Sequence, residues 1–127
     1  MKNKVFIIVL CFAFTLKAQN PAFFKIGVRE FANNDIYTLL FDETDDVLYI
    51  GTDNGLFVHK QNKFTQIKGP LNQIGNSIFS LKQNKNGLIF CNNLSGQIFK
   101  IQNDSLIVFY EIPKKENINY LSSFYIK

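Results

Sequence analysis

The sequence predicts an all-β chain built from repeated four-stranded units, and three observations carry that expectation. Landmarks recur at one interval: Ile36, Ile78 and Ile118 lie 42 and 40 residues apart, Leu39, Leu81 and Leu121 keep the same spacing, and Gly55 and Gly96 are 41 apart. Each interval holds short runs rich in Ile, Phe, Tyr, Val and Leu, separated by turn residues. No stretch after residue 18 sustains helical spacing between caps.

The first unit spans residues 33–67, and its expected strands are Ile36 to Phe41, Val47 to Thr52, Leu56 to His59 and Phe64 to Ile67. The separators are the acidic stretch Asp42 to Asp46, then Asp53-Asn54-Gly55, then Lys60 to Lys63. The second unit, residues 75–112, repeats the pattern at Ile78 to Leu81, Leu88 to Cys91, Gln97 to Ile101 and Ser105 to Ile112. Its turns carry Asn86-Gly87, Ser95-Gly96 and Asn103-Asp104, where glycine accepts a positive φ without a Cβ clash. A third unit is expected to begin within 116–127, of which only one strand is present.

Val47-Leu48-Tyr49-Ile50 runs without a polar residue, so that strand needs cover on both faces. Four short strands repeating about every 40–42 residues, stacked face to face on like units, are the signature of β-propeller blades. The expectation is an incomplete β-propeller of about two blades and the start of a third, with Tyr49 and Phe90 as equivalent large side chains between blades. The run "FFKIGVRE", Phe23 to Glu30, is expected to supply the outer strand of a last blade.

Ahead of the repeats, Lys2 and Lys4 precede the apolar run "VFIIVLCFAFTL" and a small residue, Ala18. This is the pattern of a secretory signal peptide over residues 1–18, too short to span a hydrocarbon core that takes about 20 residues. The expectation is export to the periplasm. Removal of that segment takes Lys2, Lys4 and Lys17 with it, so 14 basic residues become 11 against 10 acidic ones and the formal charge falls from +4 to +1. The basic balance therefore belongs to the leader and gives no footprint for nucleic acid. Cys11 leaves too, and Cys91 is then a single thiol in a strand, expected to be buried and inert rather than disulfide-bonded.

Candidates for chemistry are few. Asp42-x-Thr44-x-Asp46 followed by Asp53 has the outline of a calcium loop, but Val47 stands where glycine belongs and Asp53 where glutamate belongs. A solvated turn explains it, so no metal site is expected. His59 is the only histidine, with no carboxylate or second ligand at a telling spacing, and reads as a rim residue. Asn93-Leu94-Ser95 and Asn103-Asp104-Ser105 match the glycosylation pattern. The inter-unit stretch "GPLNQIGN", residues 69–76, places Asn72, Gln73 and Asn76 where a sugar or peptide could be contacted. No catalytic residue, cofactor-binding residue or cofactor is expected.

The stretch "IYTLLFDETDDVLYIGTDNGLFVHKQNKFTQI" resembles the two-component regulator propeller repeat, an apolar strand, an Asp-containing turn, Leu-Trp-Ile-Gly-Thr and then Gly-Leu. The resemblance covers residues 23–112 and departs from the pattern where Tyr49 and Phe90 replace tryptophan, where Asp46 ends the first turn in place of glycine, and at "CNNLSGQIF" in the second unit. It implies the exported sensory region of a histidine kinase of the Bacteroidota type, followed in the whole protein by a membrane helix and a cytoplasmic kinase. On that reading the chain is a non-catalytic N-terminal fragment whose partners are the remaining blades, a periplasmic glycan or peptide ligand, or a homodimer partner. The alternatives are a free-standing secreted propeller that binds carbohydrate or protein and, less favoured, an exported propeller enzyme. Two blades alone are expected to leave open faces: about 400 Å² of apolar surface on one face, at roughly 25 cal/mol per Å², forfeits ~10 kcal/mol.

Overall fold

The computed structural model describes residues 25–113 and 121–126. It contains eight strands and, among the described residues, no helix. β1 (Ile36–Asp42), β2 (Val47–Thr52), β3 (Gly55–Lys60) and β4 (Lys63–Ile67) form one sheet, and β5 (Ser80–Gln83), β6 (Ile89–Asn92), β7 (Gln97–Gln102) and β8 (Ser105–Glu111) form a second. Both are antiparallel meanders in chain order, as hairpin connections dictate. The expected signal peptide and residues 116–120 of the expected third unit lie outside the described residues.

The outermost hairpins turn through matched residue pairs in the left-handed region, Gln61 and Asn62 (φ 50° and 60°) and Asn103 and Asp104 (φ 49° and 55°). Two successive residues at positive φ give the turn whose twist suits a two-residue hairpin. The first hairpins are also alike: Asp42 Oδ1 accepts from the Thr44 amide at 3.0 Å, and Asn84 Oδ1 from the Asn86 amide at 3.0 Å.

Register assigns each residue to a face. Leu40, Tyr49, Val58 and Thr65 form one cross-strand row of the first sheet, and Leu39, Ile50, Phe57 and Gln66 form the row behind it. In the second sheet the corresponding rows are Lys82, Phe90, Lys100 and Ile107, then Leu81, Cys91, Phe99 and Val108. The core lies between the sheets, where Leu56, Ile67, Leu40, Tyr49 and Val58 meet Leu81, Ile89, Cys91, Phe99, Leu106 and Val108. The inward face of the first sheet is thus the repeat equivalent of the outward face of the second, and the reverse also holds. The outward faces stay bare in part: Leu39 and Phe41 are 60% and 54% exposed on one, Ile107 and Phe109 46% and 63% on the other.

The sheets come closest along β1 and β5. There the Ile78 amide donates to the Thr52 carbonyl at 2.8 Å, and a Cβ on Gly51 would stand 2.7 Å from the Ile78 carbonyl oxygen. Only glycine admits that approach. In the second sheet Asn92 stands in place of Gly51. Its Nδ2 donates to the Leu121 carbonyl at 2.6 Å, while the Leu121 amide donates to the Leu94 carbonyl at 3.1 Å. Leu121 thus docks at the end of the second sheet that corresponds to the one Ile78 meets on the first, three residues out of step with the repeat, and Leu121–Ile126 pairs in no ladder.

Two expectations are corrected. The described part of the supposed outer strand, Lys25 to Glu30, is not a strand: Gly27 (φ 71°) starts a turn closed by the Phe31 amide on the Gly27 carbonyl at 2.9 Å. That turn drops Phe31 edge-on against both Phe57 and Phe64, at 5.2 Å each, so apolar cover outweighs a further edge pairing. Second, β5 begins at Ser80 rather than Ile78, because the Ile78 and Phe79 amides are drawn to the Thr52 and Asn92 carbonyls.

Candidate functional site

The chain between β4 and β5 crosses from the outer edge of one sheet to the inner edge of the next, and buried polar side chains hold it there. Gln97 and Asn93 are fully buried at the mouth of the β6–β7 turn. Gln97 Oε1 accepts from the Ile74 amide at 2.7 Å and from Asn93 Nδ2 at 3.0 Å, and its Nε2 donates to the Asn72 carbonyl at 2.9 Å and to Glu111 Oε2 at 3.2 Å. Asn93 Nδ2 also donates to the Ile74 carbonyl at 2.8 Å, and its Oδ1 accepts from the Gln97 amide at 2.9 Å. Every buried side-chain polar atom among the described residues has a partner, as a folded interior requires.

The tethered loop brings Gln73 and Asn76 together with Gln66 and Asn54 around a cavity of about 120 Å³ floored by Leu56 and Ile67. Gln66 Nε2 donates to the Asn54 carbonyl at 2.8 Å and Gln73 Nε2 to the Gly75 carbonyl at 2.9 Å, which fixes both carboxamides at the rim. Asn76 bonds to no described residue. Asn72, the third residue singled out in the sequence, contributes its main-chain carbonyl to Gln97 instead of lining this cavity. Among the described residues the lining offers carboxamides and main-chain groups, which bind by neutral hydrogen bonds.

Further concavities among the described residues flank the stack. One of about 550 Å³ lies between the first turns of the two sheets, lined by Asp42, Thr44 and Asp45 on one side and Asn84, Lys85 and Asn86 on the other. The second, about 370 Å³, follows the outer edge of the first sheet beside Asp104.

The remaining candidates fall apart spatially. Asp42 and Asp53 sit at opposite ends of β2, whose six residues span about 20 Å. Asp53 Oδ1 is engaged by the Asp35 amide at 3.0 Å, so the two carboxylates cannot share a cation. Among the described residues no group of three His, Cys, Asp or Glu side chains converges. His59 lies against the Phe64 ring at 4.5 Å. Cys91 is buried and free, and burial pushes its thiol well above the usual range. Burial also raises the Tyr49 hydroxyl, helped by the negative charges of Asp42, Asp45 and Asp104. Asn93 is buried by its hydrogen bonds, which leaves only Asn103, at an exposed turn tip, accessible among the two glycosylation patterns.

No family model, curated protein or solved structure matches the chain. The reading of its function therefore stands on its own residues.

Proposed function

We propose that the two stacked sheets are consecutive blades of an exported sensory β-propeller, a non-catalytic recognition region of the kind that precedes a histidine kinase in two-component signalling. The observation that carries this reading is the equivalence of faces. The outward face of each sheet, bare in part, corresponds, residue row for residue row, to the covered inward face of the other. Sheets built this way call for a like sheet on each side, and a closed ring is the arrangement that supplies one throughout. The seating of Leu121 against Asn92 fits the entry of a third blade. In this reading the further blades are the chief partner. The amide-lined cavity suits a ligand offering hydroxyl or amide groups, such as a glycan or peptide, and its carboxamides support recognition over catalysis.

The test is to read the gene beyond codon 127. Further repeats of about 40 residues, a membrane helix and a kinase would support the proposal. Repeats ending in a stop would favour a free-standing secreted propeller, and a catalytic module would favour an enzyme. The absence of any further repeat, together with a cooperative monomeric melt of the full chain by itself, would refute the propeller reading.

A further inference from the structure

We infer that the outer edge of β4, with the lysine-flanked cleft beside it, is a docking site for an extended acidic peptide that adds a strand to the first sheet. β4 is the last strand of its sheet, so one side of its backbone has no ladder partner among the described residues. The two-residue turn at Gln61-Asn62 makes Lys60 and Lys63 the closing pair, and alternation then sends the main-chain groups of Phe64, Gln66 and Lys68 outward. One of these is already in use as the geometry requires: the Lys68 carbonyl accepts from the Leu106 amide at 2.9 Å, in a parallel bridge to Ser105. The edge thus takes a strand partner just past its last residue, and the groups of Phe64 and Gln66 continue the same row.

The cleft beside this edge is where the partner's side chains would go. Val58, Thr65 and Ile67 floor it, and Lys60, Lys68 and Asp104 stand around its rim. Lys63, the cross-strand partner of Lys60, lies on the same face. Because successive side chains of a strand point to opposite faces, the matching partner carries apolar residues over Val58 and Ile67 and carboxylates beside the ammonium groups on the same, cleft-facing side. The three lysines against the single Asp104 decide the sign of the partner. Lysines along an edge also discourage pairing with copies of themselves, so the site selects against its own kind while accepting an acidic strand. The area is small, which fits a transient complex.

The experiment uses the full chain and a fluorescein-labelled ten-residue peptide, Glu-Thr-Glu-Thr-Val-Thr-Val-Thr-Glu-Thr, whose glutamates and valines share one face, followed by anisotropy. Saturable binding is expected, weakened about tenfold by the double variant Lys60→Glu/Lys68→Glu and further by salt. Gln66→Pro removes an outward amide at an edge position that tolerates proline, along with the side-chain bond to the Asn54 carbonyl, and is expected to abolish binding with the fold retained at a modestly lower melting temperature. The same peptide N-methylated at alternate amides keeps its charge and is expected not to bind, which serves if Gln66→Pro disturbs the fold. No saturable binding to the wild-type chain, or binding that survives both N-methylation and charge reversal, would overturn the inference.

Discussion

Replacing Gln97 with leucine removes the side chain that ties the inter-sheet loop to the second sheet while keeping its volume close. The Ile74 amide and the Asn72 carbonyl then lose their partners, and Asn93 keeps only its bond to the Ile74 carbonyl in the loop. Orphaning two partly buried main-chain groups costs about 1–1.5 kcal/mol each, or about 2–3 kcal/mol together. With an unfolding entropy near 2.1 cal/mol/K per residue taken over the roughly 95 described residues, that corresponds to a fall of about 10–15 °C in Tm. Circular dichroism melts of the full chain measure it, with Asn76→Ala, whose side chain bonds to no described residue, as a control expected within about 0.5 kcal/mol of wild type. Amide hydrogen exchange adds a local readout: the Ile74 amide should be protected in the wild type and exchange quickly in the variant. A Gln97→Leu protein melting within a few degrees of wild type, with Ile74 still protected, would refute the assignment of Gln97 as the loop's anchor.

Other perturbations probe the core and the cover. Gly51→Ala places a Cβ against the Ile78 carbonyl and should destabilise by about 1–3 kcal/mol, read from the denaturant midpoint. Phe31→Ala removes two edge-on ring contacts from a half-buried side chain and should cost about 2 kcal/mol, with raised dye binding as the first sheet's outward face is uncovered. The Cys91 thiol should resist a disulfide reagent at pH 8 until the chain is unfolded. Its folded pKa lies above its unfolded one, so its contribution to stability is complete below about pH 8.5 and declines as pH rises beyond that, at about 1.4 kcal/mol per pH unit. Tyr49 acts in the same direction from about pH 10 upward. Cys91→Val should flatten the alkaline slope of Tm between pH 9 and 10, and an unchanged slope would dispose of the thiol's role.

The strands were legible because the pattern that makes them is apolar and repeats: Val47 to Thr52 reads in the sequence as it stands in the structure, and seven others shift by a residue or two. The loop anchor was hidden for the opposite reason. "CNNLSGQIF" reads as a degraded copy of "IGTDNGLFV", because a buried carboxamide and a turn carboxamide look alike until the third dimension gives them partners. Asn92, Asn93 and Gln97 are the departures from the repeat, and they are also fully buried and hydrogen-bonded. Phe31 was missed because a single aromatic in a polar turn shows no period. Gln73 and Asn76 were visible as an amide-rich loop, but Gln66, which completes their cavity, sits in a strand where its face could be assigned only from register.

The two sides of each sheet differ, so a stack of such units has a front and a back, like links that couple in one direction only. Duplicating a stretch of about 42 residues at either end would add a link that already fits its neighbour, with no new surface to invent. Lengthening by anything other than a whole unit would put an unmatched side against a neighbour.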